Sequence, residues 1–351
     1  MARAGTREAQ IMKNDRITIR DVAARAGVSH QTVSRVINNS ERVQEKTRKK
    51  VEAAIKELGY QPNAIARYMA KGRTKTLACF SPNLTDYTYA RIIEGAEFEA
   101  RQAGYFLMTA SAPNTETFST LVEQLVASRR TEGLLMINPY VDDRYNQLPQ
   151  DSPVVYVGAR SSQSTINSMD SVFLDDEEAG QIATQHLLGL GHRGVALITG
   201  PMVEDCSIDR LAGYETVLRS AGIEFDPSLV KEGDWSASTG YDAVKELISK
   251  NVKFSAIFAQ NDRMAVGAIK ALKEAGRQIP GDVSVVGFDD MPLASYYDTP
   301  LTTIRQDTFR MGQEAAKLLI RAIETPEKPH RHLSMPVELV LRKSTAAYKS
   351  Q

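Results

Sequence analysis

The chain has little cysteine and no long apolar run. Cys79 and Cys206 are its only cysteines in 351 residues. They make no disulfide framework, and no CxxC pair suggests a metal. No stretch approaches the roughly 18 apolar residues of a membrane span. Met1 to Asp15 is polar and mixed in charge, without the apolar core of a secretory signal. We read it as a disordered tail and the cytoplasm as the compartment. Enzyme signatures are missing too: the chain holds no GxxxxGK[ST], no HExxH and no GxSxG. Gly189 to Gly194 spells GxGxxG, but it follows a helical stretch (Ala179 to Leu190) and precedes an apolar strand (Val195 to Gly200). A dinucleotide fingerprint needs the reverse order, so this is a helix stop. The five histidines are scattered; His330 and His332 lie near prolines and read as exposed. The acid pairs Asp175-Asp176 and Asp289-Asp290 have nothing to assign them opposed acid and base roles. No catalytic residue, metal or cofactor is expected.

What is present is an ordinary globular composition, 42% hydrophobic and 25% charged, long enough for two or three domains. The net charge of zero conceals a split. Residues 1–75 carry 17 Lys+Arg against 7 Asp+Glu, a balance of +10, and the remainder carries 26 against 36, a balance of −10. A basic N-terminal module on an acidic body suggests a polyanion for the first part only. On charge alone, a solvated basic face is the lesser alternative.

The motifs of that module favour DNA. Thr18 can cap a helix, with Asp21 answering three residues on; Val22, Ala23 and Ala26 give its buried side. Gly27 stops it. Ser29 caps a second helix with Val33, Val36 and Ile37 inward, and a third fits Lys46 to Leu58, ended by Gly59. Two helices joined by a short Gly-containing turn form a helix-turn-helix. The outer face of the second helix carries His30, Gln31 and Arg35, side chains able to read base edges in the major groove. Ser29, Thr32, Ser34, Asn38 and Arg42 suit phosphates, which position without specifying.

Ile19 to Asn38 and Val51 to Asn63 resemble the DNA-binding head of the lactose-repressor (LacI/GalR) family, and the likeness extends from Ile17 to about Ser344. It implies that His30, Gln31 and Arg35 read operator bases. It also implies that residues 62–71 are a hinge helix that folds on DNA and enters the minor groove beside its dimer mate, through Asn63, Ala66, Arg67, Met69 and Ala70. Met69 stands where a leucine wedge is usual; methionine can also wedge between base steps.

From Thr76 the chain alternates strand-like runs (Leu77–Ser81, Tyr105–Thr109, Gly133–Asn138, Pro153–Val157, Val195–Gly200, Ala256–Ala259, Val283–Gly287) with amphipathic stretches at 90–103, 116–129, 208–221, 238–250 and 262–275. This predicts parallel α/β layers, too many for one compact lobe. The resemblance implies a two-lobed, periplasmic-binding-protein-like body. The expected plan is a tail (1–15), an all-α head (16–61), a hinge and linker (62–75) and a body (76–344). The body's first lobe spans about 76–173 and 305–332, its second about 174–304 and 333–344, with crossings near 171–175, 301–305 and 330–335.

Ligands in such folds sit beyond the carboxyl ends of strands. Asn138, Arg210, Asn261 and Asp289 lie there, and planar donors, amides and carboxylates are what a polyol needs. Trp235, the only tryptophan, offers a flat face to a sugar ring. Each alone also reads as a cap or core residue. The resemblance adds Gln306 and implies that Arg210, Asn261 and Asp289 hydrogen-bond a sugar while Trp235 stacks on it. Gly158 stands where the family often has an acid, and Thr308 where lactose-type repressors have an aromatic, which implies a different ligand face on the first lobe. The expectation is a transcriptional repressor that binds operator DNA and a small-molecule effector, most simply a sugar. With no heptad repeat after Ser344, a homodimer is expected rather than a tetramer. A sugar receptor without DNA work is the rival reading.

Overall fold

A computed structural model describes residues 17–38, 40–61, 73–140, 142, 144–149, 151–158 and 169–349. The tail and the hinge positions Asn63, Ala66, Arg67, Met69 and Ala70 lie outside the described residues. The chain divides into two compact units, one ending at Thr74 and one beginning at Lys75.

The first unit contains α1 (Ile19–Ala26), α2 (His30–Ile37) and α3 (Glu45–Leu58). Asp21 accepts from both the backbone N–H and the hydroxyl of Thr18 at 2.7 Å, so α1 starts where the polar pair requires. Ser29 accepts the N–H of Thr32 at 3.2 Å at the start of α2. α1 and α3 end on Gly27 and Gly59, with φ of +67° and +62°, a left-handed turn that a side chain would disfavour. Val22, Ala23, Val33, Val36, Val51 and Ala54 form one buried cluster. These helices are too short to hold alone in water; this shared core holds them.

The second unit has two lobes. The first contains β1 (Thr76–Ser81), α4 (Tyr87–Gln102), β2 (Phe106–Ser111), α5 (Thr115–Leu121), β3 (Leu134–Ile137), β4 (Val154–Val157) and β5 (Asp170–Leu174). The second contains α6 (Asp176–Gly189), β6 (Val195–Thr199), α7 (Asp205–Ser220), β7 (Val230–Glu232), α8 (Ala237–Ser249), β8 (Ala256–Ala259), α9 (Asp262–Glu274), β9 (Ser284–Asp289) and β10 (Thr302–Gln306). The chain then returns to the first lobe as α10 (Thr308–Glu324) and β11 (His332–Met335), and ends in the second with β12 (Val337–Val340). The sheets run β11-β5-β4-β3-β1-β2 and β12-β10-β9-β8-β6-β7. Every pairing is parallel except β10 with β12. Central strands such as Leu134–Ile137 and Ala256–Ala259 are buried throughout, as a sheet covered on both faces demands. Among the described residues no helix is long and apolar enough to cross a membrane.

Three details differ from expectation. The stretch 116–129 is not one helix: α5 gives way to a π-helical turn at Val122–Ala127. The regions expected as crossings are themselves strands, so the chain changes lobe at Asp175, Asp307 and Pro336. The lobe boundaries shift with them. Residues 305–306 stay in the second sheet, paired with β9 and β12, and residues 333–335 stay in the first, paired with β5. Pro336, with no N–H to give a ladder, marks the change of sheet.

Candidate ligand cleft and nucleic-acid interface

The carboxyl ends of β1, β3, β4 and β5 face those of β6, β8 and β9 across a cleft, as the parallel wiring requires. Its space is about 750 Å³ counting the open mouth.

Arg210 on α7 is buried and lines this space. Its Nε donates to Asp176 Oδ1 and its Nη1 to the Gln260 carbonyl, both at 2.8 Å. The guanidinium lies 3.5 Å from the Phe288 ring centroid. Its backbone is fixed by close helix packing: a Cβ on Gly180 would come within 2.4 Å of the Arg210 carbonyl oxygen. Burial nevertheless pushes the Asp176 carboxyl up, with Arg210 opposing. Asp289 ends β9 and accepts from Gln306 Nε2 at 2.6 Å. Burial and Asp262 hold its carboxyl well above the usual range, against Arg210.

Trp235 is held from several sides. Its backbone sits at φ +69°, Asn261 Nδ2 donates to its carbonyl at 3.0 Å, and its Nε1 donates to Glu204 Oε2 at 3.0 Å. The indole lies against Gly200, where a Cβ would stand 2.0 Å from Trp235 Cζ2. Gly200→Ala is therefore expected to displace the indole. Overpacking of ~1–3 kcal/mol should weaken ligand binding about tenfold or more and shift the emission of this single tryptophan, with DNA affinity unchanged. Calorimetry and fluorescence check it.

Of the expected ligand residues, Arg210, Trp235, Asn261, Asp289 and Gln306 line one cavity. Asn261 also caps α9, accepting from the Met264 N–H at 2.8 Å. Asn138 does not join them. Ile137 and Pro139 line the cleft, so the alternation of an extended chain turns Asn138 into the lobe, where its Nδ2 donates to Tyr156 Oη at 3.0 Å. Gly158 lines the cleft, whereas Thr308 is buried away from it. Asp86, Tyr87, Tyr89, Glu204 and Arg263 also line the cleft and were not singled out from sequence. Asp86 and Arg263 come from opposite lobes and pair at 2.5 Å.

Burial pushes the Glu204 carboxyl up to about 7, opposed by the Trp235 N–H and Arg210. An acid whose pKa rises on folding favours the folded state most below its unfolded pKa. That contribution is lost as pH rises through the folded value. Between about pH 4.5 and pH 7 this group should therefore cost wild-type stability that Glu204→Gln retains. Because Glu204 touches the lone indole, emission should step near pH 7 in the wild type and stay flat in the variant. A step of equal size in both would show that another group is responsible.

In the first unit, His30, Gln31 and Arg35 are exposed on α2, as are Ser29, Asn38 and Arg42; Thr32 and Ser34 are half-buried. Ser29 and Asn38 have structural work as well, Asn38 Nδ2 donating to the Ser34 carbonyl at 2.9 Å. Among the described residues no group of His, Cys, Asp and Glu could hold a metal ion.

Comparison with known proteins adds to this geometry. Residues 18–63 match the family described as bacterial regulatory proteins, lacI family, and residues 184–345 match a periplasmic binding protein-like domain. The HTH-type transcriptional regulator CelR of Thermobifida fusca is 36% identical over 335 residues, covering 94% of this chain and 98% of that protein. The structure of a CelR–cellobiose complex is 34% identical with a TM-score of 0.72, over 94% of this chain and 100% of that one. The Lac repressor dimer bound to operator and the anti-inducer ONPF is 32% identical with a TM-score of 0.86, over 94% and 99%.

Proposed function

Because the chain belongs to the lacI family of bacterial regulatory proteins, we propose that it is a dimeric repressor whose hold on a near-palindromic operator is set by a neutral sugar in the cleft. The head (16–61) reads bases with His30, Gln31 and Arg35 and grips phosphates with Ser29, Thr32, Ser34, Asn38 and Arg42. Residues 62–75 link it to the effector body, and Asn63, Ala66, Arg67, Met69 and Ala70 enter the minor groove. Such a protein works in the cytoplasm, where the chromosome is.

One observation carries the effector half: Arg210, Trp235, Asn261, Asp289 and Gln306, from five separate stretches of chain, converge on one cavity. Arg210 spends two nitrogens on Asp176 and Gln260 and offers the third to a hydroxyl. Asp289 and Gln306 form an acceptor–donor pair for adjacent hydroxyls, and the indole covers the C–H face of the ring. For dimerisation, α4 exposes Phe98, the edge strand β2 exposes Phe106 and Met108, and the second lobe exposes Leu293 and Tyr296. Apolar surface of this kind calls for a partner. Contacts between lobes, such as the Asp205 N–H to the Pro139 carbonyl at 2.9 Å, are ones that a ligand favouring another lobe arrangement would break. A ligand shifts DNA affinity only by its differential affinity for the two arrangements.

The test is selection of bound sequences from random duplexes by the purified protein, then titration of sugars onto the winning site. An enriched near-palindrome whose affinity one sugar changes is the expected result, and the direction of change gives the sign of the switch. No enrichment with or without sugars would overturn it.

A further inference from the structure

The second lobe has another cavity at its far pole, where the amino ends of β6, β8 and β9 meet the C-terminal segment. Its space is about 1580 Å³ counting the open mouth. Loops at 192–194, 251–255 and 280–283 line it, with Arg277 and the residues Ala347, Tyr348 and Lys349. The strands between this cavity and the ligand cleft are four to six residues long, so about 13–20 Å separates the two.

The wall made by the C-terminal segment is fixed. The Ala346 N–H donates to Ser284 Oγ at 3.1 Å, and the Tyr348 N–H to the Leu190 carbonyl at 2.8 Å. The Ala346 carbonyl can only accept, so the buried His192 donates to it from Nε2, at 3.1 Å. His192 Nδ1 lies 2.9 Å from Ser255 Oγ, and its ring centroid lies 5.6 Å from that of Tyr348. A ligand therefore meets a wall already ordered and need not order it.

The lining combines two chemistries. Ile248, Val252 and Phe254 are half-buried; they pack on the core of the lobe and also line the cavity, as does the buried Val283. Side chains left half covered are surface that an apolar ligand body would bury. The same cavity carries Arg193, Lys253, Arg277 and Lys349. The first three follow the ends of α6, α8 and α9 by three or four residues, where each helix presents about half a negative charge. Arg193 Nη1 answers one such end directly, donating to the Leu188 and His192 carbonyls at 3.2 and 3.0 Å. Three half charges and Asp282, the only acid among the described lining residues, still do not balance four cations. Asp282 is itself engaged, accepting the Gln278 N–H at 2.8 Å. Among the described residues the side chains of Lys253, Arg277 and Lys349 have no hydrogen bond or ion pair. On a body whose balance is −10, this local excess of cations attracts an anion.

We propose that the distal cavity is a second small-molecule site, taking a carboxylate carried on an apolar body the size of one ring or a short alkyl chain. The carboxylate pairs with Lys253 and Arg277, and the body covers Ile248, Val252 and Phe254. Bare phosphate would leave the apolar lining wet, and a neutral apolar molecule would leave the cations unanswered; only the combination meets both. The site does not depend on the sugar reading, since the cleft lies at the other end of the sheet.

The experiment is calorimetry on the full chain with 3-phenylpropanoate, 4-hydroxybenzoate and octanoate, with the neutral 3-phenylpropanol, and with inorganic phosphate. The wild type is compared with the double variant Lys253→Gln, Arg277→Gln. Both side chains are exposed, so the variant should unfold at the wild-type temperature. At least one carboxylate should saturate the wild type with a Kd of about 1 mM or tighter, about tenfold or more tighter than the alcohol or phosphate. The double substitution should weaken it about tenfold or more. Emission of Trp235, which lies in the cleft, should not move. If no carboxylate saturates by about 10 mM, if phosphate or the alcohol binds as tightly, or if the double variant binds like the wild type, the proposal fails. A carboxylate that shifts Trp235 emission sits in the cleft and overturns it equally. None of these results touches the sugar reading.

Discussion

Arg210→Ala is expected to abolish the effector response while leaving operator binding intact. The guanidinium does two things at once. It lines the cavity, and it neutralises Asp176, whose side chain is 6% exposed, as is its own. Removing one member of a buried pair strands the other, at a cost of about 3–5 kcal/mol. The second lobe should therefore lose stability along with its ligand contact. Helix packing at Gly180 and Gly213 does not involve the Arg210 side chain, so the lobe should still fold at low temperature. Arg210→Lys separates the two roles. A lysine keeps the charge beside Asp176 but lacks the planar fork, so it cannot also serve Gln260 and a ligand hydroxyl. It should regain most of the lost stability and little of the response. Titration of the effector against labelled operator, with thermal unfolding in parallel, reads both quantities. A variant that still responded would remove Arg210 from the site.

The head was the most legible part of the sequence, because its signals are local. Caps, a glycine stop and the 3.6-residue spacing of Val22, Ala23, Val33, Val36 and Val51 all lie within a few residues of what they determine. The short strands were least legible. β11 is four residues long and half exposed, and its register is set by pairing with β5, some 160 residues earlier. β12 was hidden in the same way, its antiparallel partner being β10. No local pattern distinguishes such segments from a crossing loop. The cleft was half legible. Arg210, Trp235, Asn261, Asp289 and Gln306 stand beside strand ends or in recognisable motifs. Asn138 was misplaced by a single step of strand alternation. Asp86 and Arg263 look like an ordinary helix cap and an ordinary surface cation, and only the folded chain brings them together across 177 residues.

Replacing the residues proposed to read bases should produce the largest change in DNA affinity. His30 and Gln31 open α2 and Arg35 lies one turn on, all exposed, above a core that none of them touches. Their truncation should leave the head folded. Each good base contact is worth about 1–3 kcal/mol of discrimination. In a two-fold dimer every substitution acts at both half-sites, so Gln31→Ala should cost about 2–6 kcal/mol on the symmetric operator and relax preference at one position in each half. Arg35→Ala should behave alike at a different position. Arg42→Ala supplies the contrast. The proposed phosphate contact carries no sequence information, so its loss should weaken binding to all duplexes alike and flatten the dependence of log affinity on log salt by about one unit per contact removed. Binding to the selected operator, to single-base variants of it and to unrelated duplex, at three salt concentrations, separates these outcomes. If Gln31→Ala lowered affinity equally on every duplex, the side chain would be holding backbone, and base reading would rest with the other two.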